Sequence, residues 1–276
     1  MSKRLVRSCA VLCLGLVSTA CDVKVGDTGV SVDFAVGKAT DEWTRTYDLP
    51  PGGRFEIVNT NGLIHASPSA GTKVEVRATR DARAGNDEAA RSLLQKTEMR
   101  EDVSPDRVAI EARIEQGQRG GGFGGPQLTI RYDVQIPPGL TVMLKTQNGE
   151  VRMENLQGRL TASSTNGGVI GSGLSGSVDA STVNGGIQMD LTAVTGDTRL
   201  VTVNGGIRLT LAKDVSAEFE AGVVNGGVLV QEGFPLAADE RTRQRVAGRI
   251  NKGGPRIVVQ TTNGGVRVGG RGEPGA

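Results

Sequence analysis

Thr182-Val183-Asn184-Gly185-Gly186-Ile187-Gln188-Met189 is followed twenty residues on by Thr202-Val203-Asn204-Gly205-Gly206-Ile207-Arg208-Leu209, and Thr261-Thr262-Asn263-Gly264-Gly265-Val266-Arg267-Val268 repeats the pattern near the C-terminus. The same Asn-Gly corner stands at Asn148, Asn166 and Asn225. Third after each asparagine comes Val151, Val169, Ile187, Ile207, Val228 or Val266, and fifth comes Met153, Gly171, Met189, Leu209, Val230 or Val268. Between them lie Arg152, Ile170, Gln188, Arg208, Leu229 and Arg267, mostly suited to water. This is the period-two alternation of a half-buried strand. The approach to each corner alternates in the same way, with Val142, Leu160, Val178, Thr198, Phe219 and Ile257 six residues before the asparagine. Each unit therefore reads as strand, corner, strand.

From Asn148 to Asn225 the corners are 18, 18, 20 and 21 residues apart. A fixed period of that size signals a solenoid, in which each coil buries its apolar face on the next. The expected fold is all-β: a β-solenoid (β-helix) with Asn-Gly-Gly corners and one short helix. Glycine supplies positive φ at a tight corner and asparagine tolerates it. A hairpin turn would use the same residues, but Thr146, Ser164, Thr182, Thr202 and Thr261 recur two residues before the asparagine. In strand phase these hydroxyls and the asparagines share the inward face. Coils about 4.8 Å apart would stack them into hydroxyl and amide ladders. The asparagines are accordingly expected to be structural corners.

The chain begins with Lys3, Arg4 and Arg7, an apolar run from Cys9 to Val17 and small residues before Cys21. Residues 1–20 read as a secretion signal, too short to span a membrane. Val17-Ser18-Thr19-Ala20-Cys21 resembles the bacterial lipobox, which implies that Cys21 is lipidated and becomes the mature N-terminus. Loss of the signal removes Cys9 and Cys13, leaving no intramolecular disulfide in the mature chain. It also removes three of the 32 basic residues, against 30 acidic ones. The basic balance belongs to the signal, and general nucleic-acid binding loses its support.

Residues 21–42 read as the lipidated cysteine with a linker or first strand, 43–127 as a β-rich N-terminal lobe with one helix, 128–268 as the solenoid repeats, and 269–276 as a polar tail. Tyr47 to Gly62 aligns without gaps on Val134 to Gly149, which places a further corner at Asn61. Asp87 to Met99 is the helix, with Ala89, Ala90, Leu93, Leu94 and Met99 as its apolar stripe and Asn86 as its cap. Gly117 to Gly125 reads as a loop. After Asn225 the period breaks, and Phe234 to Pro255, carrying Arg241, Arg243, Arg245, Arg249 and Lys252, reads as a solvated insertion, helix or loop.

Trp43-Thr44 with Tyr47, Leu49-Pro50-Pro51-Gly52-Gly53, Asn59-Thr60-Asn61-Gly62 and the serial Thr-Val-Asn-Gly-Gly coils resemble the bacterial "putative adhesin" β-solenoid family, a domain family of unknown function, over residues 43 to 268. The resemblance implies a β-helix, in some members two-lobed, with no catalytic residue to carry over.

His65 is the sole histidine, with no cysteine or second histidine to complete a metal set or triad. Asp179, Arg199 and Glu220 occupy one outward position, where alternating charge favours a salt-bridge ladder over a catalytic pair. No catalytic residue, cofactor or metal is expected. The expected role is a non-catalytic scaffold or adhesin-like recognition surface, lipid-anchored on the periplasmic or outer side of the bacterial cell envelope. Arg152, Gln188, Arg208 and Arg267 form the candidate surface for an envelope protein or polysaccharide. A glycan-active β-helix enzyme using Asp179 or Glu220, and a component of envelope-stress signalling, are the alternatives. Self-association follows if the solenoid ends are uncovered, the helix and the 234–255 insertion being the candidate covers.

Overall fold

The structure is a computed structural model and describes residues 21–26, 29–34, 37–114 and 126–271. The expected signal peptide and the Gly117–Gly125 loop lie outside the described residues, as does most of the expected tail. Two compact units are present, divided after Val36. In the first, Cys21–Gly26 and Gly29–Phe34 form an antiparallel hairpin with Val23 opposite Val32 and Val25 opposite Val30.

The second unit is built on one hydrogen-bonded sheet of twenty strands, curled so that parallel strands stack in two rows joined at the corners. One row contains Arg54–Asn61, Thr141–Asn148, Gln157–Asn166, the second half of Val169–Asn184, Thr198–Asn204, Arg256–Asn263 and Ala217–Asn225, in that order. The other contains Ile64–Pro68, Val151–Glu154, the first half of Val169–Asn184, Ile187–Val194, Ile207–Leu211, Val266–Gly270 and Val228–Val230. The in-register alternation puts Leu144, Leu160, Val178, Leu200, Ile257 and Phe219 inward from one row and Val151, Val169, Ile187, Ile207 and Val266 from the other. Each such side chain contributes about 1.5–3 kcal/mol by leaving water. The β-solenoid reading is therefore correct in class, and the apolar residues assigned inward are buried apart from the half-buried Val228 and Val230.

The gapless alignment of the two lead-in segments is also the structural register. Arg54 pairs with Thr141 and Asn61 with Asn148, and Gly52 N–H donates to Gly139 O at 2.8 Å. Beyond this coil, Arg107–Ile114 and Gln127–Ile136 continue the two rows in parallel. Thr97–Ser104, Val74–Ala84 and Gly37–Tyr47 then add antiparallel strands. The helix runs over Asp87–Gln95, with Asn86 Oδ1 accepting from Ala89 N–H at 2.8 Å. Ala90, Leu93 and Leu94 are buried. Met99 belongs to the strand Thr97–Ser104, because the chain leaves the helix at Lys96.

Three expectations are corrected. The segment 234–255 contains a hairpin, Leu236–Arg241 with Arg245–Ile250, whose second strand lies antiparallel on Ala217–Asn225. Val246, Gly248 and Ile250 face inward while Arg245 and Arg249 face water, a period-two pattern. The last coil also does not stack at the end of the series. Arg256–Asn263 lies between Thr198–Asn204 and Ala217–Asn225, so Val258 stands between Arg199 and Glu220. Finally, the threonines are buried but the corner asparagines from Asn148 onward are exposed. Alternation holds through Val183, Val203 and Val224, which take the outward phase, and is lost at the asparagine that follows, which faces water as well.

Candidate functional site

The corners are held by two opposed rows of hydrogen bonds. Asn148 donates its side-chain amide to Asn61, Asn166 to Asn148, Asn184 to Asn166, Asn204 to Asn184, Asn263 to Asn204 and Asn225 to Asn263, all between 2.7 and 3.0 Å. Beside them the backbone N–H of the first glycine in every corner but the one at Asn225 donates the other way, to the asparagine carbonyl of the next coil; Gly167 to Asn184 is 3.0 Å. The hydroxyls do not bond to one another. Ser164, Thr182, Thr202 and Thr261 each donate to a corner glycine carbonyl one coil away, at 2.8 to 2.9 Å. Every corner asparagine amide thus donates a hydrogen bond to a neighbouring coil or strand.

Close approach explains the first glycine of each corner better than torsion does. A Cβ on Gly205 would sit 2.0 Å from Gly185 O, and one on Gly185, whose φ is not in the left-handed range, 2.2 Å from Gly167 O. At the second position the gap is wider, 3.3 Å from Gly206 to Gly265 O. That is why Leu63 and Glu150 can stand there in the first two corners.

On the second row the outward side chains stack as Asp133, His65, Arg152, Ile170, Gln188, Arg208, Arg267 and Leu229. The four predicted surface residues stand in this row but are not equivalent. Arg152 is held by Glu150 at 2.8 Å and is separated from Arg208 by Ile170 and Gln188. Arg208 and Arg267 are direct neighbours, and among the described residues neither has a carboxylate within ion-pair distance. They flank an open groove of about 400 Å³ shared with Thr210, Leu229, Gln231 and Gly269. Leu229, 62 % exposed, ends the row. The groove depends on the late insertion of the last coil, which brings Arg267 beside Arg208; sequence order alone would place Leu229 there.

His65 is half-buried, with Nδ1 3.4 Å from Asp133 Oδ1 and Nε2 3.6 Å from Glu154 Oε2. Glu220 pairs with Arg245 at 3.2 Å and with Arg256. Asp179 and Glu220 are three rungs apart, roughly 14 Å at the strand spacing. That exceeds the roughly 5–9.5 Å between paired carboxylates in glycoside hydrolysis. Among the described residues no group of three or more His, Cys, Asp or Glu could hold a metal ion. Burial pushes the phenols of Tyr47 and Tyr132 up. Tyr47 also donates to Glu101 at 2.6 Å, whereas the Tyr132 hydroxyl has no partner among the described residues.

No curated protein matches the chain significantly. Among solved structures, a "putative cell adhesion protein" from Clostridium sporogenes is similar at 10% identity, with 84% of this chain and 100% of that chain covered and a TM-score of 0.50, a likeness of fold alone. A "putative adhesin" from Bacteroides fragilis (11% identity, 84% and 97% covered, TM-score 0.30) and a "putative lipid binding protein" from Parabacteroides distasonis (10%, 84% and 97%, TM-score 0.27) are more distant. The sequence pattern of the family described as "Toastrack DUF4097" matches residues 101–269, more than half of the chain and all of the corners from Asn148 to Asn263. The chain belongs to the toastrack DUF4097 family.

Proposed function

We propose that this chain is a lipid-anchored protein of the bacterial cell envelope, tethered through Cys21, whose rigid β-solenoid presents a non-catalytic recognition surface to an envelope protein or polysaccharide. The supporting observation is the row containing Arg152, Gln188, Arg208 and Arg267, in which neighbouring coils repeat outward side chains at a spacing set by backbone hydrogen bonds. Such a row meets an extended partner without the cost of ordering a loop. The anchor is supported by the sequence before Cys21, and the non-catalytic reading by the separation of Asp179 from Glu220. Neither the toastrack family nor the Clostridium sporogenes protein carries a name that specifies a reaction.

Affinity capture from envelope extracts on the full-length chain, compared with R208E/R267E, tests the surface. A partner retained by the wild type and lost by the variant supports it; equal retention removes this face. Metabolic labelling with a fatty acid tests the anchor. Incorporation abolished by Cys21→Ala supports it, and labelling unaffected by that change refutes it.

A further inference from the structure

Arg208 and Arg267 stand directly opposite one another on the paired strands Ile207–Leu211 and Val266–Gly270, roughly 4.8 Å apart at the backbone. Like charges so placed repel. Some arginines of the fold pair with acids, as Arg152 with Glu150, Arg131 with Asp133, Arg245 with Glu240 and Arg271 with Asp190, and among the described residues others, such as Arg199 and Arg249, do not; Arg208 and Arg267 differ from these in lying on adjacent rungs beside a groove. Among the described residues Arg208 and Arg267 have no such counter-charge, so two cations are left uncompensated on adjacent rungs.

The groove beside them is furnished with donors. Gly269 and Gly270 contribute no side chain to it, and Thr210 contributes a hydroxyl. Gln231 is oriented, its Oε1 accepting from Gly270 N–H at 3.1 Å, which leaves its amide N–H groups available. Two acids stand near the groove: Asp190, one rung from Thr210, is held by Arg271 at 2.6 Å, and Glu232, exposed, follows Gln231 in the chain. Leu229 gives the groove one apolar wall.

We propose that this groove binds a phosphate group bridged by Arg208 and Arg267, with an apolar part of the same ligand against Leu229. A carboxylate fits the fork of one guanidinium, whereas a tetrahedral phosphate presents oxygens to two at once and, as a monoester, also carries more charge. The inference deepens, and rests on, the reading of this row as a recognition surface. The phosphate can be supplied by a lipid headgroup or by a soluble phosphate ester.

The test is phosphorus NMR line broadening with the full-length chain in a phosphorus-free, non-ionic detergent at about 0.15 M salt, where diffuse attraction is largely screened. Inorganic phosphate and dihexanoyl phosphatidylglycerol are the probes. Saturable binding of either probe, weakened at least tenfold in R208Q/R267Q and unchanged in R113Q, which lies outside the row, is the expected result. Tighter binding of the lipid than of phosphate, lost in Leu229→Ser, identifies a headgroup source, and equal binding of the two a soluble ester. Absence of saturation, or the same affinity in R208Q/R267Q, overturns the proposal. Capture of an envelope partner that needs both arginines, without binding of either probe, would overturn the phosphate inference while leaving the recognition reading standing.

Discussion

Asn263 donates its side-chain amide to Asn204 at 2.8 Å, although Asn225 lies between them in the sequence. The chain completes the coil carrying Asn225, turns back along its outer edge as the strand Arg245–Ile250, and then places Arg256–Asn263 in the gap on its inner side. Asn251, at φ 51, holds that reversal by donating to Lys213 O and Val215 O at 3.0 and 2.7 Å. The coil carrying Asn225 therefore reaches the rest of the solenoid through the C-terminal strands.

Truncation after Pro255 follows from this arrangement. Removing 256–276 takes away the parallel partner of Ala217–Asn225 and one of the two parallel partners of Thr198–Asn204. Residues 217–250 are expected to lose protection along with the deleted coil, while the coils up to Asn184 keep theirs, since repeat stability is carried by nearest neighbours. Hydrogen exchange on the truncated chain checks this. Continued protection of Ala217–Asn225 would show that this coil can dock directly on Thr198–Asn204.

The two corner glycines should differ sharply. Gly205→Ala places a methyl 2.0 Å from the Gly185 carbonyl, backbone against backbone, and has to push two coils apart. A loss of about 3 kcal/mol is expected, at the upper end for overpacking. Gly206→Ala, with 3.3 Å available, should cost about 1 kcal/mol or less. Urea unfolding midpoints of the two variants make the comparison.

Tyr132 is fully buried, and among the described residues its hydroxyl has no hydrogen-bond partner. Tyr132→Phe removes an unsatisfied polar group at nearly constant volume and should be neutral or stabilising by up to about 1 kcal/mol. Burial holds the folded phenol above its ordinary value of 10.0. Its contribution is therefore fully present below about pH 10, where both states keep the proton, and falls as pH rises further because only the unfolded chain releases it. Thermal unfolding between pH 8 and 11 should show a shallower alkaline decline in the variant, with the remainder owed in part to Tyr47.

The coils were legible because side-chain phase and register coincide. The alignment of Tyr47–Gly62 on Val134–Gly149 is the pairing itself, and the inward residues follow from alternation alone. What the repeat concealed was order in space: nothing in the local pattern of Arg256–Asn263 says between which coils it lies, since every coil offers the same strand edge and the same asparagine. The hairpin was readable from Val246, Gly248 and Ile250, but its arginines drew attention to charge instead of period. Corner exposure was missed for another reason. Period-two phase holds only while the strand is straight, and the turn rotates Asn184 outward, to the side Val183 already faces. The groove needed the true stacking order, because Arg208 and Arg267 are far apart in sequence.

That pairing of arginines also makes a stability prediction of opposite sign to its functional one. If Arg208 and Arg267 are kept for a ligand, the fold bears their repulsion whenever the groove is empty. Arg267→Gln should then stabilise the free protein by about 0.5 kcal/mol at low ionic strength, the scale of an exposed charge pair. The gain should fade toward 1 M salt, where screening acts over about 3 Å. Arg152→Gln, which breaks a 2.8 Å pair with Glu150, should show no such gain at any salt concentration. Thermal unfolding of the three proteins across a salt series separates the cases. A salt-independent or destabilising effect of Arg267→Gln would mean that the two guanidiniums do not oppose each other, and the case for an uncompensated cationic groove would lose its physical basis.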